Sequence, residues 1–340
     1  MPRFFIYKSP FSRVKPPENR KRKRLLQGST ALHCTAPHHT QTTAHMSSFE
    51  GILHRYTARN VAFEFAPTGR KKVLVMIGGM TDGLLTVPYA TELAHTLEPH
   101  GYSVVNVQLT SSFLGFGTAS LDKDVEELKS LVDFLKGAQG GRREAVVLMG
   151  HSTGSQDVMH YLLRHGNSVA AGIIQGSCSD RESFDQTIDQ AFDPQLLATL
   201  TARARELVDA GHQNDLLSSE YSAYLFDTPV TAYRWCSLME AGGDDDYFSS
   251  DLPAEALAAS FGRLKTPLLV AYSENDQYVP PWVDKHALLA RWRAATLPAV
   301  WSEYSGLVKG ATHAVPEPAA QRRLFEMLVP FLTDFPRADC

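Results

Sequence analysis

The sequence predicts an α/β protein: a mostly parallel, doubly wound sheet with helices on both faces and a helical insertion over one end. Three observations lead there. Short continuous apolar runs such as Val73-Leu74-Val75-Met76-Ile77 recur, as strands buried on both faces require. Segments with apolar residues at helical spacing alternate with those runs, the pattern of strand–helix–strand crossovers. The rhythm then fails from about residue 178 to 262, where helical stretches follow one another without a strand.

Taken in chain order, residues 1–45 stand apart. They are rich in Thr, His and Pro and carry nine Lys/Arg, including the run Arg20 to Arg24, against the single acid Glu18. Low hydrophobicity with high charge does not repay ordering entropy, so a disordered basic extension is expected. The basic run also fits a nuclear or organellar address, and Met46 would make a natural start. One domain is expected over 46–335, with alternation from residue 61. Strands are expected at 73–77, 102–109, 145–149, 171–175 and 267–272, and a final one around Ala299 to Tyr304. Leu121, Val125, Leu128, Val132 and Leu135 recur at helical spacing, with acids in the first turn and Gly137 after the last. Further helices are expected at about 195–210, 282–294 and 316–333.

Composition narrows the function. The chain has 340 residues, 44% hydrophobic and 21% charged, which is globular. Its net charge of −4 combines +8 in the extension with −12 in the body, where 36 acids face 24 bases. An acidic body repels phosphate and argues against nucleic-acid partners. No apolar run reaches the roughly 18–20 residues of a membrane span. The four cysteines form no CxxC pair and no Asn heads a glycosylation sequon, so a reducing, cytoplasmic setting is expected.

Gly150-His151-Ser152-Thr153-Gly154 follows the apolar strand 145–149 and precedes a helical stretch. The five letters alone are weak. Between a buried strand and a helix they describe a tight turn that lifts a serine hydroxyl clear of the sheet, the nucleophile elbow of the α/β-hydrolase fold. Serine needs a base to take its proton, and the base needs an anion to orient it. In this fold the acid and then the histidine follow on loops after the last strands, which selects Asp276 and His313. Glu274 is the rival acid, two residues nearer the strand end. Backbone N–H donors for a developing oxyanion are expected from Thr153 and, after Gly78-Gly79, from Met80. Such a set specifies acyl transfer on a small-molecule ester, thioester or amide through an acyl-serine. No metal-ligand cluster and no phosphate-cradling glycine loop is present, so no metal and no cofactor is expected. The run Asp244-Asp245-Asp246 reads first as a solvated loop or a contact within the insertion.

Several stretches together resemble a known family. They are Ile77-Gly78-Gly79-Met80-Thr81-Asp82-Gly83, the elbow with Gln156-Asp157, Ser179-Asp180-Arg181-Glu182, and Gly242 to Asp246 with Phe248-Ser249-Ser250-Asp251. This set is similar to the DUF1749 group of α/β hydrolases over about residues 50–335, a group that includes fungal siderophore esterases. The resemblance implies hydrolysis of ester bonds in fusarinine-type hydroxamate siderophores presented as ferric complexes. Serine, acid and histidine carry over onto Ser152, Asp276 and His313. Because some such siderophores carry free amines, Asp244, Asp245, Asp246 and Asp251 become candidate substrate-binding residues. A general carboxylesterase and a noncatalytic binding protein of the same fold are the competing readings.

Overall fold

The computed structural model describes residues 48–185 and 194–334. The basic extension expected over 1–45 lies outside the described residues. The sheet consists of β1 (Gly51–Arg55), β2 (Val61–Phe65), β3 (Lys72–Ile77), β4 (Tyr102–Val107), β5 (Ala145–His151), β6 (Ala171–Gln175), β7 (Leu268–Ser273) and β8 (Gly306–Val308). Their spatial order is β1-β2-β4-β3-β5-β6-β7-β8. From β4 to β8 every pairing is parallel, while β1 and β2 form an antiparallel margin.

The apolar run of β3 faces both ways. Val73, Val75 and Ile77 pack on one side with Leu128, Val132 and Val158 in one core. Leu74 and Met76 pack on the other with Leu93, Leu324 and Leu328. Helices α1 (Ala90–Leu97), α2 (Leu121–Lys136) and α3 (Gly154–His165) supply much of that cover. The first turn of α2 holds Asp122 and Asp124, and Ser120 caps it by accepting from the Lys123 N–H at 3.2 Å.

Between β6 and β7 lie α4 (Asp180–Asp185), α5 (Pro194–Asp209), α6 (Ser219–Ser222), α7 (Ala232–Met239) and α8 (Ala254–Ala259). Part of this stretch has its own small core, in which Leu197, Leu200, Tyr221, Leu225, Trp235 and Leu238 are buried together. After β7 come α9 (Lys285–Ala295) and α10 (Pro318–Thr333).

Two sequence expectations need correction. The last strand is not 299–304 but β8, at 306–308. Around Trp301 there is only an isolated bridge to Leu268. A turn then intervenes, in which the Ser305 N–H donates to the Ser302 carbonyl at 3.1 Å, and pairing with β7 resumes at Gly306. The antiparallel β1, which precedes residue 61, was not expected. Four of its five residues are exposed, so it shows no apolar period to read.

Candidate active site

Strand β5 ends at the elbow. Ser152 has φ +54°, a left-handed conformation rare for a side chain with a Cβ and costing of order 1–3 kcal/mol. The glycines that flank it are required by close approach. A Cβ on Gly150 would stand 2.0 Å from the Gly154 carbonyl oxygen, and one on Gly154 would stand 2.6 Å from that of Gly78. The Ser152 N–H donates to the Gln175 carbonyl at 2.9 Å, which ties the turn to the end of β6.

His313 Nε2 lies 2.7 Å from Ser152 Oγ, and His313 Nδ1 lies 2.8 Å from Asp276 Oδ2. With Nδ1–H donating to the carboxylate, the Nε2 lone pair faces the serine hydroxyl. Asp276 uses its second oxygen as well, accepting from the Tyr278 N–H at 3.0 Å. Asp276 and His313 are buried. The rival, Glu274, is occupied elsewhere: its Oε2 accepts from the Gly310 N–H at 2.7 Å.

The chain after β3 closes the other side. Gly79 passes so near the elbow that a Cβ there would sit 2.6 Å from Ser152 Cβ. Asp82 Oδ2 accepts the Gly79 N–H at 2.7 Å and so pins the loop. Met80 and Thr153 both line the cavity beside Ser152. Among the described residues, neither of their N–H groups donates to a protein acceptor. The cavity measures about 190 Å³, with Thr81, Phe184, Phe226 and Tyr278 also in its walls.

Asp244, Asp245, Asp246 and Asp251, the candidate substrate-binding residues, are not among those that line this cavity. Each is turned onto a partner within the chain. Asp244 accepts from the Tyr233 hydroxyl at 2.6 Å. Asp245 is buried against Arg234 Nη1 at 2.6 Å and Ser237 Oγ at 2.5 Å. Arg181 binds Asp246 through Nε at 3.0 Å and Asp251 through Nη1 at 3.1 Å. The stretches that carry the family resemblance are thus linked to one another, since Glu182 also accepts from the Ser250 N–H at 2.9 Å.

Supporting residues escaped the sequence reading. The Gln175 amide, fully buried, donates to the His313 carbonyl at 3.1 Å and to Ser273 Oγ at 3.0 Å. Its oxygen accepts from the Tyr89 hydroxyl at 2.8 Å and faces His151 Nδ1 at 2.7 Å. Burial, then the neighbouring His313, holds the His151 pKa down to about 4, so that ring stays neutral. Gln277 Oε1 accepts the His313 N–H at 3.1 Å, and the Tyr278 ring meets the His313 ring edge-on. Gln175 left one legible trace, a polar residue at the inner end of an apolar strand.

Fold and site together define an ester hydrolase of the α/β-hydrolase class. The chain belongs to the DUF1749 family, described as a protein of unknown function, whose model matches residues 40–333. A UPF0613 protein of Schizosaccharomyces pombe is 39% identical, covering 85% of this chain and 98% of the relative. The fusarinine C esterase sidJ of Aspergillus fumigatus is 37% identical over 78% of this chain and 89% of its own. Among solved structures, the siderophore hydrolase EstB from Aspergillus fumigatus matches with a TM-score of 0.74 and 33% identity, over 86% of this chain and 99% of that one. Among the described residues no helix is long and apolar enough to cross a membrane.

Proposed function

We propose that the chain cleaves ester bonds of hydroxamate siderophores of the fusarinine type through an acyl-Ser152 intermediate. The observation that carries the mechanism is the unbroken hydrogen-bonded line from Ser152 Oγ through His313 to Asp276, at 2.7 and 2.8 Å. His313 Nε2 takes the Oγ proton as Oγ attacks the ester carbonyl, and Asp276 stabilises the imidazolium that forms. The oxyanion is received by the N–H groups of Met80 and Thr153, at the head of α3, where the helix dipole adds positive potential. His313 then returns its proton to the departing alkoxide. A water, deprotonated by the same nitrogen, releases the acyl group.

Support for the substrate comes from the similarity to sidJ and EstB. A cavity of about 190 Å³ has room for one ester arm and leaves the bulk of a ferric siderophore outside. A cytoplasmic setting belongs to the same proposal, in keeping with the free thiols of Cys178 and Cys236.

The test is mass spectrometry of products after incubation with ferric fusarinine-type siderophores and with a panel of simple acyl esters, with Ser152→Ala as the blank. Hydroxamate monomers appearing with the wild type alone support the proposal. Turnover of simple esters alone keeps the relay and removes the siderophore. Turnover of nothing favours a noncatalytic binding protein. In Ser152→Ala, kcat/KM should fall by about 10⁴–10⁶ with the fold intact.

A further inference from the structure

Cys178 follows the end of β6 and lines the same cavity as Ser152 and His313. The acyl-transfer steps make no use of its thiol. One ligand atom each of Cys178, Asp276 and His313 nevertheless lies within 4.8 Å of the other two. Among the described residues no other three His, Cys, Asp or Glu side chains converge in this way. The direction of the imidazole also matters. A Cβ on Gly176, two residues before Cys178, would stand 3.4 Å from His313 Cε1 and 3.5 Å from Nδ1. The Nδ1 edge therefore faces the loop that carries the thiol, while Nε2 faces Ser152.

We propose that Cys178, Asp276 and His313 form an inhibitory zinc site, in which Zn²⁺ bound through Sγ, a carboxylate oxygen and Nδ1 switches the hydrolase off. The inhibitory role rests on the function proposed above; the site itself rests on the geometry. A thiolate, an imidazole and a carboxylate make a donor set suited to zinc, and the thiolate disfavours magnesium and calcium. Zinc–ligand distances of about 2.0–2.3 Å put tetrahedral donors about 3.3–3.8 Å apart. Reaching that spacing asks Cys178 Sγ to close by roughly 1 Å, within reach of rotation about its Cα–Cβ bond, and asks the Nδ1···Oδ2 pair, now 2.8 Å apart, to open by roughly 0.5 Å.

The protons balance. In the resting site the neutral imidazole carries its one proton on Nδ1. Zinc takes that position, the ring proton moves to Nε2, and Nε2 no longer accepts the Ser152 proton. The Cys178 thiol gives its proton to solvent as it binds the ion. One proton is released per ion bound, and the base is blocked without any displacement of Ser152.

The experiment uses the full chain stripped of metal, a small neutral acyl ester as substrate, and ZnCl₂ as the probe. A parallel titration with Co²⁺ reads the thiolate bond directly, through its near-ultraviolet charge-transfer band. The half-inhibitory zinc concentration should rise roughly tenfold or more in Cys178→Ala, each protein being measured against its own zinc-free rate. The cobalt band should appear in the wild type and in Ser152→Ala and vanish in Cys178→Ala. Cys178→Ser, close in size, takes its place if the alanine variant does not fold. Equal inhibition of wild type and Cys178 variants, or a wild type without the cobalt band, overturns the proposal. Failure of the esterase reading looks different: no ester is cleaved, while the cobalt band still reports on the site.

Discussion

The strand ends around Ser152 and the stretch from Asp244 to Asp251 are both polar and both tightly hydrogen-bonded, yet they are built to opposite ends. At the strand ends, each side chain is held from behind and left open in front. Asp276 is fixed by the Tyr278 N–H, and His313 by Gln277 and Gln175, and both then point along one line to a serine that borders a cavity. In the insertion the acids are closed off. Asp245 is buried against Arg234, while Asp246 and Asp251 share Arg181. A carboxylate already matched by an arginine has little left to offer a ligand. Charge count alone does not separate the two regions; the difference lies in whether a partner already occupies the working face.

The sharpest way to break this contrast is at Asp276. With Asn in its place, the amide presents an N–H₂ group or a weak acceptor to His313 Nδ1, so the tautomer that frees Nε2 loses its advantage. We expect kcat on any accepted ester to fall by about 10⁴, with little change in KM. Glu274→Gln is the control. It weakens one hydrogen bond to the Gly310 N–H, costing about 0.5–1.5 kcal/mol of stability and leaving the relay in place. Steady-state kinetics of both variants decide between the two acids, and a larger loss in Glu274→Gln would reverse the assignment.

The chain itself announces much of this arrangement. Ser152, Asp276 and His313 are local in their logic: each sits just past an apolar run, where parallel topology puts loops at one sheet edge. Reading a run and its terminus brings them forward as candidates, with Glu274 left as a rival to Asp276 and the run before His313 set at 299–304 in place of Gly306–Val308. The remainder depends on contacts that no window contains. Gln175 reaches Ser273 across 98 residues and His313 across 138. Arg181 meets its acids 65 and 70 residues away, and an arginine in one motif does not announce an aspartate in another. For that reason the sequence offers Asp244 to Asp246 as a solvated loop or a contact within the insertion without naming the arginines that meet them. The strand expected at 299–304 failed for a smaller reason, since apolar content cannot reveal the turn at Ser302 that delays pairing until Gly306.

The buried side of the insertion should fail by stability rather than by chemistry. Arg234 is almost wholly buried, its guanidinium lies 4.4 Å from the Phe116 ring, and Asp124, Asp157, Asp180 and Asp245 surround it. Arg234→Met leaves Asp245 buried without its ion partner, and unfolding free energy should drop by about 3–5 kcal/mol. The pH dependence has a definite sign. Desolvation raises Asp124 to about 7 and Asp180 to about 8, so both hold protons in the fold that the unfolded chain releases near its ordinary value of about 4. Stability from these groups is therefore present below that ordinary value and is lost as pH rises toward the folded values. Removing the guanidinium favours the protonated forms further and extends the loss to higher pH. Thermal melts of both proteins from pH 5 to 9 would show it, and parallel melting curves would refute the account.

The exposed side should hardly respond. Asp251 pairs with Arg181 at the surface, its own side chain 62% exposed, and Arg181 keeps Asp246 as a second partner. Screening and side-chain entropy limit such a pair, so Asp251→Asn should cost less than about 1 kcal/mol. Its kinetic result carries more information than its stability. If the acids of this loop recruited cationic substrate, KM for an amine-bearing ester would rise in Asp251→Asn while KM for a neutral ester stayed fixed. With Arg181 already neutralising the carboxylate, both values should remain within about twofold of the wild type. A selective rise for the amine-bearing ester would mean that Arg181 releases Asp251 when substrate arrives, and the insertion would then take part in binding after all.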